Sequence, residues 1–370
     1  MSQQPAARDD AVLHLRGPVL VGPDEAASQA WVLGGRITFT APSVPASRVQ
    51  ALDGWVLPGL VDAHSHVGLG PDGEVPREEA VRQAEADRDA GTLLIRDAGQ
   101  PGDTRWIDQR PDLPVIVRAG RHIARKRRYI RNYAHEIEPD QLAGYVRAEA
   151  RRGDGWVKLV GDWIDRDCGD LAPCWPADAL AEAVAAAHAE GARVTAHCFG
   201  EDCLPDLIAA GIDGIEHASG LTDDTRAAVA ARGIAVVPTL VNVAKFPEFA
   251  AAGEAKFPRY AAHMRALHAR RYETVAAAYE SGVPLFAGTD AGGSLPHGLV
   301  AREVAELVTA GIPAAAALDA ACWGARSWLG RPGLEEGAPA DLVVYSGDPR
   351  ADVRALADPR LIVLRGRIFR

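Results

Sequence analysis

Hydrophobic and polar positions follow two different patterns along this chain. The first 58 residues hold short apolar runs broken by Gly and Pro, and Gly34-Gly35 separates two alternating runs as the turn of a β-hairpin would. The last residues, 336–370, repeat this strand-and-turn pattern. The pattern predicts one small β-sandwich domain, built from residues 1–58 together with residues 336–370.

Between these ends, residues 59–335 alternate short apolar runs with Ala-rich helical stretches such as PREEAVRQAEADRDAG and DDTRAAVAARG. Eight runs are typical of strands: GLVDAHSHV, AGTLLIRDAG, LPVIVRAG, GWVKLVG, ARVTAHCF, GIEHAS, IAVVPTLV and VPLFAGTDAG. Eight βα units in this length favour an α/β fold of the (β/α)8 TIM-barrel type. A doubly wound sheet is the alternative, but no Gly-rich phosphate loop follows the first strand.

Titratable side chains fall at the carboxyl ends of these predicted strands, where the active sites of such barrels lie. His64 and His66 are two residues apart on one strand and should therefore point the same way. The matching ends of other strands carry Lys158, His197, His217 and Asp290. A single strand histidine is more often a core residue, but the whole set of imidazoles and carboxylate suits zinc and related ions. The sequence therefore predicts a catalytic metal site.

Composition narrows the class of protein. The 370 residues are 48% hydrophobic and 24% charged, which is typical of a globular protein. A formal net charge of −10 argues against nucleic-acid binding, and the chain has no apolar run long enough to cross a membrane. The five cysteines and the absence of a secretory-signal pattern predict a cytoplasmic protein with reduced thiols. Cys168 and Cys174 could hold a structural zinc, but free thiols are the preferred interpretation.

The segment VLPGLVDAHSHVG, followed by strand-end Lys, His, His and Asp in that order, resembles the amidohydrolase superfamily over nearly the whole chain. The resemblance extends to GTDAG near the eighth strand and to GAPADLVVYSGDPRADVRAL near the end. The segment AHCFGEDCLPDLIAAGIDGIEHA is most similar to members related to prolidases and imidazolonepropionases.

The resemblance implies a role for each strand-end residue. His64, His66 and Asp290 would hold one divalent metal, most suitably zinc, and His197 and His217 a second, with a carboxylated Lys158 bridging the two. A metal-activated hydroxide would then cleave a C–N bond in an amide, peptide-like or cyclic amide, and Asp290 would act as general acid and base. The implied partner is a small-molecule substrate, and a homo-oligomer is left open.

The loop after Lys158 departs from the resembled pattern. Relatives often continue with a Ser-Gly-Gly stretch, whereas this chain continues with Val160-Gly161-Asp162-Trp163. An uncarboxylated Lys158 would leave one metal instead of two. The alternatives are therefore a mononuclear deaminase or imidazolone-type ring hydrolase acting on a nitrogen heterocycle, and a non-catalytic scaffold. Deaminases of this superfamily usually carry a Glu near the fifth-strand His as a proton shuttle, and Glu201, four residues after His197, leaves this criterion ambiguous. The complete ligand set argues against the scaffold.

A basic segment follows the third predicted strand, running from Arg121 to Arg128 with Arg131 close behind. It is interpreted as a solvated loop or, because it leaves the catalytic end of the barrel, as a clamp for a substrate carboxylate. The candidate substrate-binding residues are His122, Arg125, Tyr129, Trp163 and His297.

Overall fold

The computed structural model describes residues 12–370, so the part of the predicted β domain before residue 12 lies outside it. The strands of the described residues are β1 (Val12–Leu20), β2 (Ala26–Leu33), β3 (Arg36–Thr38), β4 (Val49–Asp53), β5 (Trp55–Pro58), β6 (Leu60–Ser65), β7 (Leu69–Gly70), β8 (Gly73–Glu74), β9 (Thr92–Asp97), β10 (Val115–Arg118), β11 (Ile123–Arg125), β12 (His135–Ile137), β13 (Trp156–Val160), β14 (Asp162–Asp165), β15 (Asp170–Pro173), β16 (Arg193–Cys198), β17 (Gly214–His217), β18 (Ala235–Val237), β19 (Leu342–Tyr345), β20 (Leu361–Leu364) and β21 (Arg367–Ile368).

The α-helices over the same range are α1 (Arg77–Asp89), α2 (Leu142–Arg152), α3 (Ala177–Ala189), α4 (Leu204–Ala210), α5 (Asp223–Arg232), α6 (Leu240–Val243), α7 (Phe246–Gly253), α8 (Pro258–Ala269), α9 (Arg271–Glu280), α10 (Val300–Thr309), α11 (Ala314–Asp319) and α12 (Trp323–Trp328). Local chemistry fixes their ends: Thr222 caps α5 through the Thr225 N–H, and Gly233 ends it in a left-handed conformation. In the described residues, no helix is long and apolar enough to cross a membrane.

The two ends of the chain meet in one eight-stranded sheet of order β21-β20-β19-β5-β1-β2-β3, with β4 also paired to β1. β19 pairs antiparallel with β5, which joins the C-terminal strands to the N-terminal ones. The predicted hairpin is confirmed, because β2 and β3 pair antiparallel across Gly34 and Gly35, whose φ angles of 57° and 76° favour glycine. The strands form a single sheet, which does not show the predicted sandwich, and the domain boundaries stay a prediction.

The central strands form two parallel sheets, of order β10-β9-β6 and β12-β11-β13-β16-β17-β18, in a mixed α/β fold. Seven of the eight predicted strand runs contain one of these strands. The eighth, residues 283–292, is not a regular strand but makes isolated bridges from Leu285 to Val236 and from Ala291 to Ser65. One physical reason is Asp290, whose φ of 59° interrupts extended backbone. A closed barrel is therefore not shown by the sheets themselves.

The segment 283–292 nevertheless runs between the two parallel sheets. The Phe286 N–H donates to the Val236 carbonyl over 3.0 Å, and the Asp290 N–H donates to the His64 carbonyl over 2.7 Å. Gly288 permits this close passage, because a Cβ there would lie 2.5 Å from a Val237 methyl carbon and 2.7 Å from the His64 nitrogen. The fold thus places Asp290 directly beside the end of β6.

Candidate metal centre

Three side chains at the ends of β6 and the segment 283–292 converge on one point. Asp290 Oδ1 lies 3.0 Å from His64 Nε2 and 2.9 Å from His66 Nε2, and the two imidazole nitrogens are 3.2 Å apart. Both histidines are buried, and the Asp290 side chain is 21% exposed. Two imidazoles and a carboxylate facing one another at this spacing are a donor set that fits a divalent metal ion.

Hydrogen bonds on the opposite ring nitrogens hold these imidazoles in place. His64 Nδ1 donates to Glu216 Oε2 over 2.7 Å, and His66 Nδ1 donates to the Gly99 carbonyl over 2.6 Å. His217 is held in the same way, since its Nδ1 lies 2.7 Å from Thr239 Oγ1. Each ring is therefore held through Nδ1, and Nε2 is the nitrogen that remains to bind a metal, which is how metal-ligating histidines are usually oriented.

The other predicted ligands lie beside this cluster. The His217 ring centroid is 5.2 Å from that of His64 and 4.7 Å from that of His197. His197 Nε2 is buried without a hydrogen-bond partner, and its nearest carboxylate oxygen in an ion-pair contact is Asp162 Oδ1 at 3.7 Å. Lys158 is buried on β13. Burial lowers the pKa of its amine to about 8, although the negative charges of Glu216 and Asp290 act to raise it.

The electrostatics of the site favour the protonation states that metals require. Burial lowers the pKa of His197 well below its usual range and that of His217 to about 3, so both imidazoles are neutral at pH 7. Burial alone would raise the pKa of Asp290, but the neighbouring imidazoles of His64 and His66 hold it well below its ordinary value. An ionised carboxylate and neutral imidazoles are the ligand forms that bind divalent ions.

Sequence reasoning missed the buried groups behind the ligands. Glu216 is fully buried, and its Oε1 accepts from Arg96 Nη2 over 2.6 Å and also from the Thr195 hydroxyl. Strand alternation predicts that Glu216 and His217 point to opposite faces. The φ of 66° at His217 breaks that alternation, so both side chains reach the site.

Two more polar residues support Asp290 and its neighbours. Asn242 Nδ2 donates to Asp290 Oδ2 over 2.7 Å. Asp62 accepts from the backbone N–H groups of His64 and Thr289 at 3.1 and 3.0 Å, and from the Thr289 hydroxyl at 2.5 Å. The one sequence signal for Asp62 was its place in the VDAHSH run, and Asn242 had none.

A cavity of about 560 Å³ opens above the cluster, and His66, His197 and Asp290 form part of its lining. Three predicted substrate-binding residues, His122, Tyr129 and Trp163, line it as well. The other two predicted substrate-binding residues, Arg125 and His297, do not line it.

Arg125 Nη1 donates to the Cys174 carbonyl over 3.4 Å, outside the lining. His297 is nearly buried and lies 2.8 Å from Asp87. Local ion-pair and hydrogen-bond partners, which sequence does not reveal, keep both side chains away from the cavity.

The basic segment is built into the structure in part, and its residues Lys126, Arg127 and Arg131 are exposed, as a solvated loop would leave them. Residues 123–125 form β11, which pairs with β12 and β13. Arg128 donates to Asp165 over 2.6 Å and to the carbonyls of Trp163 and Ala172 over 2.9 and 2.7 Å, and so joins the β14–β15 hairpin. Glu201, the expected deaminase shuttle, lies 2.8 Å from His263 and outside the lining of the cavity. All five cysteines are free thiols.

Comparison with known proteins gives matches over almost the whole chain. The model of the Amidohydrolase family matches residues 55–368. An uncharacterised protein of Mycobacterium tuberculosis is 58% identical over 359 residues, which are 96% of this chain and 95% of the relative. A solved Xaa-Pro dipeptidase with bound methionine is 22% identical with a TM-score of 0.81, covering 97% of this chain and 100% of its own. The solved ochratoxinase of A. niger is 19% identical with a TM-score of 0.77, covering 97% of this chain and 96% of its own. At these identities the two structures show a shared fold.

Proposed function

The chain belongs to the amidohydrolase family, and from this premise we propose that it is a metal-dependent hydrolase that cleaves the C–N bond of an amide, peptide-like or cyclic amide substrate. The family acts on such bonds, and the observation that carries the metal dependence is the convergence of His64 Nε2, His66 Nε2 and Asp290 Oδ1 within 3.2 Å of one another. Two imidazoles and an ionised carboxylate held this close together form a donor set that a single divalent ion would satisfy.

The donor set suggests which residues would hold the ions. His64, His66 and Asp290 would hold one divalent ion, most suitably zinc, and His197 and His217 a second. Lys158, if carboxylated, would lie between the two. Such ions supply Lewis-acid polarisation of the scissile carbonyl and a water of lowered pKa.

Side chains of the protein would then transfer the proton during the reaction. Asp290 would take a proton from the attacking water and return it to the leaving nitrogen, so that a C–O bond forms as the C–N bond breaks. Asn242 fixes the carboxylate by donating to Oδ2, which leaves Oδ1 directed at the imidazoles. His122 and Tyr129 present neutral polar groups to the cavity, where they can hydrogen-bond a substrate without adding charge.

The carboxylation of Lys158 is supported by its surroundings and by residue usage. The chain has four lysines against 36 arginines, so a positive charge needed at this position would be expected as arginine. Instead a lysine is buried within β13, where the charges of Glu216 and Asp290 act on its amine. A carbamate would give this position two oxygens like those of a glutamate.

We also infer that the parallel strands close into the predicted (β/α)8 barrel. This is supported by the hydrogen bonds that the segment 283–292 makes to β18 on one side and to β6 on the other. A crystal structure should show eight parallel strands in one ring, and an open edge beside β6 would contradict the inference.

The proposed function is tested by metal content and amide hydrolysis measured on the same samples. Wild-type protein purified without chelator should contain about two divalent ions per chain and hydrolyse amides from a panel of acyl amines, dipeptides and lactams. Asp290→Asn should lower kcat by several orders of magnitude, because both a ligand and the base are lost. Asp224→Asn, an exposed change in the first turn of α5, is the matched control. Metal-free protein with full activity would overturn the proposal.

A further inference from the structure

The walls of the cavity above the metal centre are aromatic and apolar. Tyr129 and Trp163 stand beside His197, with their rings 4.8 Å apart and 5.8 and 5.3 Å from the imidazole. Phe249, Phe257 and Tyr260 from the α7–α8 region also form part of the lining. A cavity of about 560 Å³ falls within the range of sites that enclose a small organic molecule.

Positive charge is nearly absent from these walls. Of residues 12–370, the lining includes a single lysine or arginine, Lys256, which is exposed. Its ammonium lies 5.2 Å from the Phe257 ring centroid, an arrangement of cation over aromatic face. Of the arginines that the sequence offered as a carboxylate clamp, Arg128 is engaged by Asp165 and Arg125 by the Cys174 carbonyl. Arg121, Arg127 and Arg131 lie outside the lining.

This distribution of charge affects which substrates can bind. A carboxylate on the substrate would lose its hydration against the aromatic walls without gaining a guanidinium partner, and burying an unpaired charge is costly. A neutral aromatic or branched apolar group would instead gain contact area on the same surfaces. The polar groups in the lining beside the metal ligands, His122 and Tyr129, are suited to hydrogen bonds with a neutral substrate.

We propose that the substrate is an uncharged amide that carries an aromatic or bulky apolar group and has no carboxylate on the carbon attached to the scissile nitrogen. The proposal rests on the proposed function, since it names the substrate class of the same site. It reverses the expectation of a carboxylate clamp that the arginine-rich segment raised.

The test compares two amides that differ in one group. N-phenylacetyl-phenethylamine and N-phenylacetyl-L-phenylalanine share every atom around the scissile bond except the carboxylate on the amine side. With zinc-replete wild-type enzyme, the neutral amide should have a kcat/KM at least tenfold above that of the acid. Equal values, or a higher value for the acid, would overturn the proposal while leaving C–N hydrolysis intact.

A binding measurement tests the proposed substrate class independently of catalysis. Calorimetry with the same zinc-replete protein should show tighter binding of the neutral amide than of the acid, whether or not either is cleaved. Binding without cleavage would count against the proposed function alone. No binding of the neutral amide at millimolar concentration, or tighter binding of the acid, would overturn the substrate class.

Substitutions of two residues that line the cavity test whether the preference for the neutral amide arises there. Phe249→Ala should raise KM for the neutral amide about tenfold with little change in kcat, because it removes apolar contact and no catalytic group. Leu33→Ala, at an exposed apolar residue of β2, is the matched control and should change neither constant. Lys256→Ala should leave the preference for the neutral amide in place. A gain in that preference of tenfold or more would show that Lys256 binds carboxylates and would overturn the proposal.

Discussion

The imidazole of His64 donates from Nδ1 to the Oε2 atom of Glu216 over 2.7 Å, and both side chains are buried. Arg96 donates to the other carboxylate oxygen, so Glu216 and Arg96 form a fully buried ion pair next to the predicted metal ligand His64. Burial alone would raise the pKa of Glu216, but Arg96, His64 and Lys158 hold it well below its usual range. Glu216 therefore stays ionised and fixes the orientation of the His64 ring.

Replacing Glu216 by Gln should weaken metal binding by about 10–100-fold, the usual cost of losing such a supporting carboxylate. The amide can still accept from Arg96, so the fold should survive. Zinc affinity measured by competition with a chelator checks this, and circular dichroism confirms that the variant is folded. An unchanged affinity would mean that Glu216 contributes to stability alone.

Replacing Asp162 by Asn should selectively weaken the second metal position. Asp162 lies 3.7 Å from His197 Nε2 and also accepts from the N–H groups of Phe199 and Gly200, contacts that an asparagine oxygen can keep. The variant should bind close to one zinc per chain under conditions where the wild type binds two. A stoichiometry equal to that of wild type would show that the charge of Asp162 does not support the second metal position.

Replacing Lys158 by Ala should remove metal and activity, and short-chain carboxylic acids should restore part of both by occupying the space of the carbamate. Lys158→Arg should not be rescued, because its longer side chain fills that space. Activity is measured across a series of acetate and propionate concentrations. Full activity of Lys158→Ala without added acid would exclude a bridging role and favour a single metal.

The pH dependence of stability should include a contribution from His263. Its ring lies 2.8 Å from Glu201 and 3.0 Å from Asp170, and the hydrogen bond to Glu201 is the main reason that its pKa rises to about 9. Because the folded-state pKa lies above the unfolded value of about 6.5, this stabilisation is fully present below pH 6.5 and is lost as the pH rises through 9.

Wild-type protein should therefore lose about 1–2 kcal/mol of unfolding free energy relative to His263→Gln between pH 6.5 and pH 9.5, an amount reduced by partial exposure of the side chain. Urea unfolding of both proteins at several pH values measures the difference. A difference that does not change with pH would contradict this account of the ion pairs.

The sequence was most informative where chemistry and local periodicity coincide. His64 and His66 share a face because strand side chains alternate, and the terminal segments meet because each has a strand pattern with turn signals between its runs. Glu216 could not be predicted in this way, because its role depends on the positive φ of the next residue, His217.

The substrate pocket was less predictable for a different reason. The position of the basic segment along the chain predicted that it lies near the cavity, but it did not predict the partners of Arg125 and Arg128, which come from distant segments. Arg128 is paired by Asp165, a residue of the β14–β15 hairpin that the pattern did not predict. Long-range ion pairs of this kind decide whether a charged side chain faces a cavity or supports its wall.

The most direct test of metal-dependent C–N hydrolysis is the rate of amine release from N-phenylacetyl-phenethylamine, or from the best amide found in the panel, before and after metal removal. Chelator-treated, dialysed enzyme should be inactive, and stepwise addition of zinc should restore the rate up to about two equivalents per chain. A treated enzyme that contains no metal and yet releases amine at the untreated rate would contradict the account.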